Sequence, residues 1–328
     1  LGGRDLSAEV GGISALTALD MLAANDATQV IAFVSKPPSP QVRTRIIAAM
    51  QEVGKPVVAL FLGSKPEQRR EGNVWLANSL SDAAQLAVLL MRVAQQRQTQ
   101  PEVVGKGICG LYAGGSLAAE AAMLLSAGLG GPGSESHAQG VMLEASGHRI
   151  VDLGDDSYTL GRPHPMIDPA TRSIEIEKLA AQTDVGVLLL DVVLGYGACA
   201  DPAGAVVEAI SQVRSHRTAP LVVIATLTGT EADPQGRSGQ SEKLREAGIA
   251  VVETLEEAVL LAISLTHHRA HNARATPGTL LDGVQVINAG LRSFALDLQS
   301  SGTPVVHYQW APIAGGNARL ASLLKQLH

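Results

Sequence analysis

A glycine turn between an apolar run and an alanine-rich run is the feature of this sequence best suited to binding an anion. Gly114 and Gly115 follow the apolar stretch 107–112 and precede Ser116 and the helix-like run 117–127. Glycine has no Cβ, so a ligand can approach the backbone closely there. Ser116 is predicted to be the N-cap of the helix, and free N–H groups at a helix start attract phosphate. The pattern is equally compatible with a tight strand-to-helix turn that binds nothing.

A second polar loop, residues 153–168, is predicted to follow another strand. Within it, Arg162 is a candidate to hold a carboxylate or phosphate through its guanidinium fork. His164 and Asp155 are the candidate catalytic residues, and His164 is suited to bind phosphate or to transfer a proton. Alternatively, Asp155, Asp156 and Arg162 pair among themselves in a structural loop.

Two further loops are predicted at strand ends. Gly195 and Gly197 expose backbone in one of them and are candidate substrate-binding positions, while Asp191 is expected to be buried near the site. Asp201 is predicted to cap the next helix. The loop 226–238 is rich in hydroxyl groups, which are either ligands or ordinary turn residues. Because the carboxyl ends of parallel strands share one edge of a sheet, these loops are expected to converge.

The elements that position these loops alternate between strand and helix, which predicts an α/β fold with parallel sheets. A first domain spans 1–98, and a second, five-stranded and flavodoxin-like, spans 102–266. A small α/β segment, 279–328, caps either sheet or contacts another subunit. Polar stretches at 95–101 and 266–278 are predicted linkers. The predicted strands of the second domain are 107–112, 149–153, 186–193, 220–227 and 250–253.

Composition limits the classes of protein to which this chain can belong. The 328 residues are 46% hydrophobic, enough to bury the cores of two or three domains. Only 3% are aromatic, and cores of small aliphatic residues suit parallel sheets covered by helices on both faces. The net charge of −6 indicates no general affinity for nucleic acid or for an anionic membrane. No run has the length and purity of a transmembrane helix.

The two cysteines, Cys109 and Cys199, are too few for a disulfide framework and suit a reducing cytoplasm. Cys199 is either a nucleophile or a small apolar filler. His267, His268 and His271 cluster in a polar stretch without supporting carboxylates, so no metal site is predicted. We therefore expect a cytoplasmic, homo-oligomeric protein that acts on small molecules.

Three segments in the second domain resemble the ligase-CoA domain of succinyl-CoA synthetases. Segment 114–118 is similar to the glycine-rich start of the helix that this family aims at a phosphohistidine. Segments 152–154 and 194–201 are similar to its Asp-Val-Gly segment and its Gly-Gly-Ile-x-x-Cys-Asp turn. In the first domain, segments 30–33 and 55–58 resemble the second domain of the synthetase α subunit. The resemblance implies that both domains are flavodoxin-like.

The whole chain resembles the FdrA family, a fused form of these parts. The similarity rests on segments 1–7, 161–169, 288–296 and 304–310. The resemblance implies an upstream Rossmann-like domain that binds CoA, absent from this sequence, and an acyl-CoA synthetase that forms or cleaves a thioester through an acyl phosphate. Some family members are implicated in oxamate carbamoyltransfer together with partner proteins.

Two departures from the synthetases keep other functions open. The segment 71–79 stands where the synthetase carries its phosphorylated histidine, and it contains no histidine. An ATP-grasp domain is also not visible, so the use of ATP and Mg²⁺ is left open. The alternatives to a synthetase acting on a small carboxylate are a transferase that uses carbamoyl or acyl phosphate, and a non-catalytic subunit that requires partner subunits.

Overall fold

The computed structural model describes residues 3–131, 138–267, 286–288 and 291–308, together with Asn317 and Arg319. The predicted α/β fold class is confirmed, with two main sheets and a small third one. The helices are α1 (Ile13–Ala24), α2 (Pro40–Glu52), α3 (Leu80–Thr99), α4 (Gly115–Leu129), α5 (Asp156–Thr159), α6 (Ala170–Glu177), α7 (Pro202–His216), α8 (Arg237–Glu246), α9 (Leu255–Thr266) and α10 (Arg292–Ser300). The strands are β1 (Ile31–Ser35), β2 (Val57–Phe61), β3 (Arg70–Glu71), β4 (Val74–Leu76), β5 (Gly107–Tyr112), β6 (Val141–Ala145), β7 (His148–Asp152), β8 (Val185–Val193), β9 (Val222–Thr228), β10 (Ala250–Val252), β11 (Val286–Asn288) and β12 (Val305–His307).

The first sheet has the strand order β1-β2-β4-β3, in which only β3 runs antiparallel to its neighbour. Helices α1 and α2 cover one face, and α3 covers the other. The prediction that residues 95–101 form a linker is wrong, because α3 continues to Thr99. Its glutamines and arginine are good helix formers, so a polar composition there does not end the helix.

The second sheet has the order β10-β9-β8-β5-β7-β6. Its five parallel strands follow the flavodoxin-like arrangement, and the direction of winding reverses between β5 and β8. The predicted strands differ from the observed ones by at most two residues at either end. Strand β6 was not predicted from the sequence; it joins β7 in an antiparallel hairpin whose turn places Ser146 and Gly147 at φ 52° and 83°.

Apolar side chains fill both faces of the second sheet. Helices α6, α7 and α8 cover one face, and α4 and α9 cover the other. Leu86 and Leu90 of α3 pack on the first sheet, whereas Val93 belongs to the core beneath α4 and α9. Leu260 of α9 packs against both cores. Helices α3 and α9 thus contribute side chains to both cores and hold the two sheets together. Full burial of a leucine side chain stabilises a fold by about 1.5–3 kcal/mol.

The C-terminal segment contains a small parallel sheet of β11 and β12 with α10 between them in sequence. These elements agree with the predicted strands at 284–288 and 304–310 and the predicted helix at 293–300. The predicted helix at 317–327, and most of the predicted linker 266–278, lie outside the described residues. Among the helices of the described ranges, none combines the length and hydropathy needed to cross a membrane.

Candidate functional site at the carboxyl edge of the second sheet

The turn between β5 and α4 lies where the winding of the second sheet reverses. Gly114 precedes the helix in an extended conformation, and α4 begins at Gly115. The prediction that Ser116 is the N-cap is therefore wrong, since Ser116 is already the second residue of the helix. The helix begins earlier than predicted, with Gly114 as the N-cap residue and no side chain that caps the first turn.

Asp191 is completely buried at the end of β8, as expected from its place after an apolar run. One carboxylate oxygen accepts the N–H of Ala113 and the other accepts the N–H of Gly114, both at 2.8 Å. Arg172, 3% exposed on α6, donates Nη1 to the backbone oxygen of Asp191 at 2.7 Å and to Oδ1 at 3.3 Å. Burial lowers the pKa of Arg172, and the charge of Asp191 acts in the opposite direction. The two charges form a buried ion pair directly beneath the turn.

Three backbone amides in the first turn of α4 have no hydrogen-bond acceptor among the described residues. The helical hydrogen bonds begin with the N–H of Ala118, which donates to the oxygen of Gly114 at 2.9 Å. The N–H groups of Gly115, Ser116 and Leu117 have no acceptor in the described part of the chain. Unsatisfied amides at the start of a 15-residue helix carry a partial positive charge. This geometry is suited to bind the oxygens of a phosphate or carboxylate.

Asp152 and His164 lie beside the helix start. A Cβ at residue 115 would stand 2.6 Å from Oδ2 of Asp152, so any residue larger than glycine there requires the carboxylate or the helix start to move. A Cβ at Gly154 would stand 2.6 Å from Nε2 of His164 and 3.0 Å from Oδ1 of Asp152. The imidazole of His164, the carboxylate of Asp152 and the turn at residues 114–116 are therefore neighbours. This agrees with the expectation that the loops converge.

The hydrogen bonds of His164 define what its ring can do. Its Nδ1 accepts the backbone N–H of Met166 at 3.2 Å. In the neutral ring the proton is then on Nε2, the nitrogen that lies near Asp152. In this state Nε2 is a donor to an anionic oxygen and has no lone pair with which to attack phosphorus. The geometry therefore favours phosphate binding or proton donation by His164.

The pKa of Asp152 is raised above the ordinary value of an aspartate. Burial raises its pKa, while the N–H of Gly154, which donates to Oδ1 at 2.8 Å, lowers it. The carboxylates of Asp155 and Asp191 also raise this pKa, and the nearby His164 lowers it. Asp152 is thus held in surroundings that favour its protonated form, a property common among groups that exchange protons at active sites.

The other two candidates in this loop have different surroundings. Asp155 caps the short helix α5, and its Oδ1 accepts the backbone N–H of Ser157 at 2.9 Å and the Ser157 hydroxyl at 2.6 Å. These hydrogen bonds lower its pKa. The side chain of Arg162 is exposed and forms no ion pair within the described ranges. Arg162 is two residues from His164 in the sequence, and that its side chain reaches an anion at the site stays a prediction.

The loop containing Gly195 and Gly197 is fastened to the rest of the site. Gly197 has φ 82°, a left-handed conformation that favours glycine. Gln235 accepts the N–H of Gly195 at 3.1 Å and donates to the oxygens of Gly195 and Cys199 at 2.9 and 3.1 Å. The N–H of Cys199 donates to the oxygen of Met166 at 2.7 Å. Three of the predicted loops thereby form one connected surface.

In the contacts of the described residues, the two cysteines and Asp201 lie outside the cluster of His164, Asp152 and the turn. Cys109 is buried, and burial raises the pKa of its thiol to about 12, which excludes a reactive thiolate near neutral pH. Cys199 is half-buried and free. Asp201 caps α7 as predicted, accepting the N–H of Gly204 at 3.0 Å and a hydrogen bond from Lys243 at 2.6 Å.

Sequence reasoning missed Arg172 and Gln235. Arg172 belongs to a predicted helix whose pattern does not show that one arginine turns inward. Gln235 lies in a polar loop among residues of similar type. Asp191 was detectable because it is a single charge at the end of an apolar strand, and a buried charge calls for a partner of opposite sign.

The second domain is similar to a known family. Residues 111–265, which span β5 to α9, match the family model of CoA-ligase. The chain is also 32% identical over 284 residues to the uncharacterized protein YahF of Escherichia coli K12, an alignment that covers 80% of this chain and 55% of YahF.

Solved structures give more distant similarities. PH0766 from Pyrococcus horikoshii OT3 aligns with a TM-score of 0.41 and 15% identity, over 77% of this chain and 55% of that one. A dinucleotide-forming acetyl-coenzyme A synthetase 1 from Ca. Korarchaeum cryptofilum, in complex with phosphate and ADP, aligns with a TM-score of 0.42 and 16% identity, over 77% of this chain and 56% of that one. The chain thus spans about half the length of these proteins.

Proposed function

We propose that this protein is an acyl-CoA synthetase-like enzyme of the succinyl-CoA synthetase superfamily, and specifically a member of the FdrA family. The proposed reaction forms or cleaves an acyl-CoA thioester through an acyl phosphate. The observation that carries the proposal is the set of three unpartnered amides at Gly115, Ser116 and Leu117, inside the region that matches the CoA-ligase family. Such an oxyanion-binding helix start is what a phosphoryl group requires.

The residues of the site have distinct proposed roles. The three amides bind the phosphoryl oxygens, and Arg162 adds a charged fork from the rim. His164 donates its Nε2 proton to a phosphoryl oxygen, consistent with the hydrogen bond of its Nδ1 to Met166. Asp152 lies against both groups and holds the imidazole in place. In the synthetic direction the CoA thiol attacks the acyl carbon, the bond between that carbon and the phosphate oxygen breaks, and inorganic phosphate leaves with the electron pair.

A second candidate function is a transferase that uses a ready-made acyl or carbamoyl phosphate. Asn73 favours it, since this residue lies in the segment where the synthetases carry a phosphorylated histidine. Its side-chain amide donates to the backbone oxygens of Met50 and Val53, at 3.2 and 2.8 Å. Asn73 thus has a structural task at the end of α2 and offers no nucleophile. A transferase of this kind needs no phosphohistidine.

Ligand binding by the intact protein tests these proposals. A ligand that binds the native state raises the apparent stability, so thermal unfolding is measured with CoA, phosphate, carbamoyl phosphate and ATP in turn. Stabilisation by CoA together with phosphate supports the synthetase, and phosphate-dependent isotope exchange between free CoA and an acyl-CoA then identifies the thioester chemistry. Stabilisation by carbamoyl phosphate without any response to CoA supports the transferase. A protein that binds none of them contradicts both.

A further inference from the structure

The buried ion pair of Arg172 and Asp191 is joined by hydrogen bonds to the turn that precedes α4. Asp191 uses its two carboxylate oxygens on two consecutive amides, those of Ala113 and Gly114, each at 2.8 Å. Both oxygens accept from N–H donors, which is the hydrogen-bonding pattern of an ionised carboxylate. That charge lies immediately before the three free amides of α4.

The charge of Asp191 has two opposing effects on an incoming anion. Its hydrogen bonds fix the backbone of the turn, and with it the amides of Gly115, Ser116 and Leu117. Its negative charge, however, repels a phosphate that approaches those amides. Arg172 is the cation that contacts Asp191, with Nη1 at 3.3 Å from Oδ1, and both side chains are shielded from water. In such surroundings a neighbouring charge is weakly screened.

We propose that Arg172 is a positioning residue that acts through Asp191. It neutralises the carboxylate that orders the turn, and so allows the turn to bind a phosphoryl group. The inference deepens the proposed function and rests on it. Arg172 donates to the backbone oxygen and to Oδ1 of Asp191, and its effect on the ligand is carried by that carboxylate.

The test measures the dissociation constant of inorganic phosphate by titration calorimetry on the intact protein. Arg172→Met is expected to weaken phosphate binding at least about tenfold, because the carboxylate is left uncompensated. In an Asp191→Asn background the same change is expected to weaken binding by less than about threefold, since the charge that Arg172 neutralises is gone. Arg172→Lys keeps the charge and is expected to recover most of the affinity.

Arg217 supplies the matched control. It is also a buried arginine, 9% exposed, and donates to the backbone oxygens of Leu179, Gln182 and Val185 at the opposite edge of the sheet. Arg217→Met is expected to lower thermal stability without changing the phosphate dissociation constant. If Arg172→Met does not fold, the pair Arg172→Gln and Arg217→Gln decides, since both remove the charge and keep a polar side chain, with a severalfold loss of phosphate affinity expected only in the first.

Each outcome separates the two proposals. A wild-type protein that binds no phosphate overturns the proposed function together with this inference. A wild-type protein that binds phosphate, with an unchanged constant in Arg172→Met, overturns the inference alone. The inference also fails if Arg217→Met weakens binding as much as Arg172→Met, or if the loss in Arg172→Met is undiminished in the Asp191→Asn background.

Discussion

The carboxylate of Asp152 lies against the Cα of Gly115, so close that a Cβ there would stand 2.6 Å from Oδ2. This contact joins the end of β7 to the first residue of α4. It explains why the helix can begin with glycine, although glycine is a poor helix former. The absent side chain leaves room for a carboxylate beside amides that remain open to an anion.

Gly115→Ala is expected to displace Asp152 or the helix start, and with it the three free amides. We predict a loss of stability of about 1–3 kcal/mol from the forced contact, together with weaker phosphate binding. Urea unfolding and phosphate titration measure the two effects. Gly239→Ala in α8 is the control: a Cβ there meets no atom within 4 Å, so this change is expected to stabilise the helix by about 0.5–1 kcal/mol. Equal stability of Gly115→Ala and wild type would contradict the crowded geometry.

Arg162→Ala removes the proposed charged fork at the rim of the site. Because hydrogen bonds to charged groups contribute about 1–3 kcal/mol, we expect phosphate affinity to fall by that amount with little change in thermal stability. Calorimetric titration with inorganic phosphate measures the effect. Arg149→Ala removes another exposed arginine, on β7, and should leave the affinity unchanged. Unchanged affinity in Arg162→Ala would exclude this residue from the site.

The raised pKa of Asp152 makes its contribution to stability depend on pH. The native state binds this proton more tightly than the unfolded chain, whose carboxyl has a pKa of 3.8. The contribution is therefore fully present below that pH and is lost as pH rises through the pKa of the folded state. Asp152→Asn keeps an acceptor for the N–H of Gly154 and lacks the titration. We expect the stability of this variant relative to wild type to increase from about pH 4 to about pH 7, measured by urea unfolding. A difference that is constant with pH would sink the prediction.

Gln235 joins two loops through three hydrogen bonds, two of them to Gly195. Gln235→Ala leaves a half-buried N–H and two carbonyl oxygens without these partners, which is expected to destabilise the protein by about 1–3 kcal/mol. The loops of the site should also exchange amide hydrogens faster near Gly195 and Cys199, as measured by mass spectrometry. Gln98→Ala on the exposed side of α3 provides the comparison. Unaltered exchange in Gln235→Ala would show that the loops are held by other contacts.

Local pattern was sufficient to predict the elements that carry the site. These elements were predicted from residues that are neighbours in the chain. Examples are the apolar run that forms β5, the aspartate and proline at the start of α7, and the charged residue in the apolar strand β8. The same reasoning failed at β6, because this short edge strand is only partly buried and its residues show no regular alternation of apolar and polar types. It also failed at the end of α3, because a polar helix end and a linker have similar compositions.

The sequence by itself determined the class of fold and the convergence of its loops at one edge of a sheet. It also determined the presence, at Gly114, of a glycine turn of a type suited to bind an anion. Those features depend on periodicity and on residue types that are local in the chain. Only the tertiary structure decided that Asp191 takes two amides of that turn, that Arg172 faces Asp191, and that Nδ1 of His164 accepts a backbone N–H. The physical reason is that these contacts depend on the direction of individual side chains, which packing between distant segments sets and local pattern does not record.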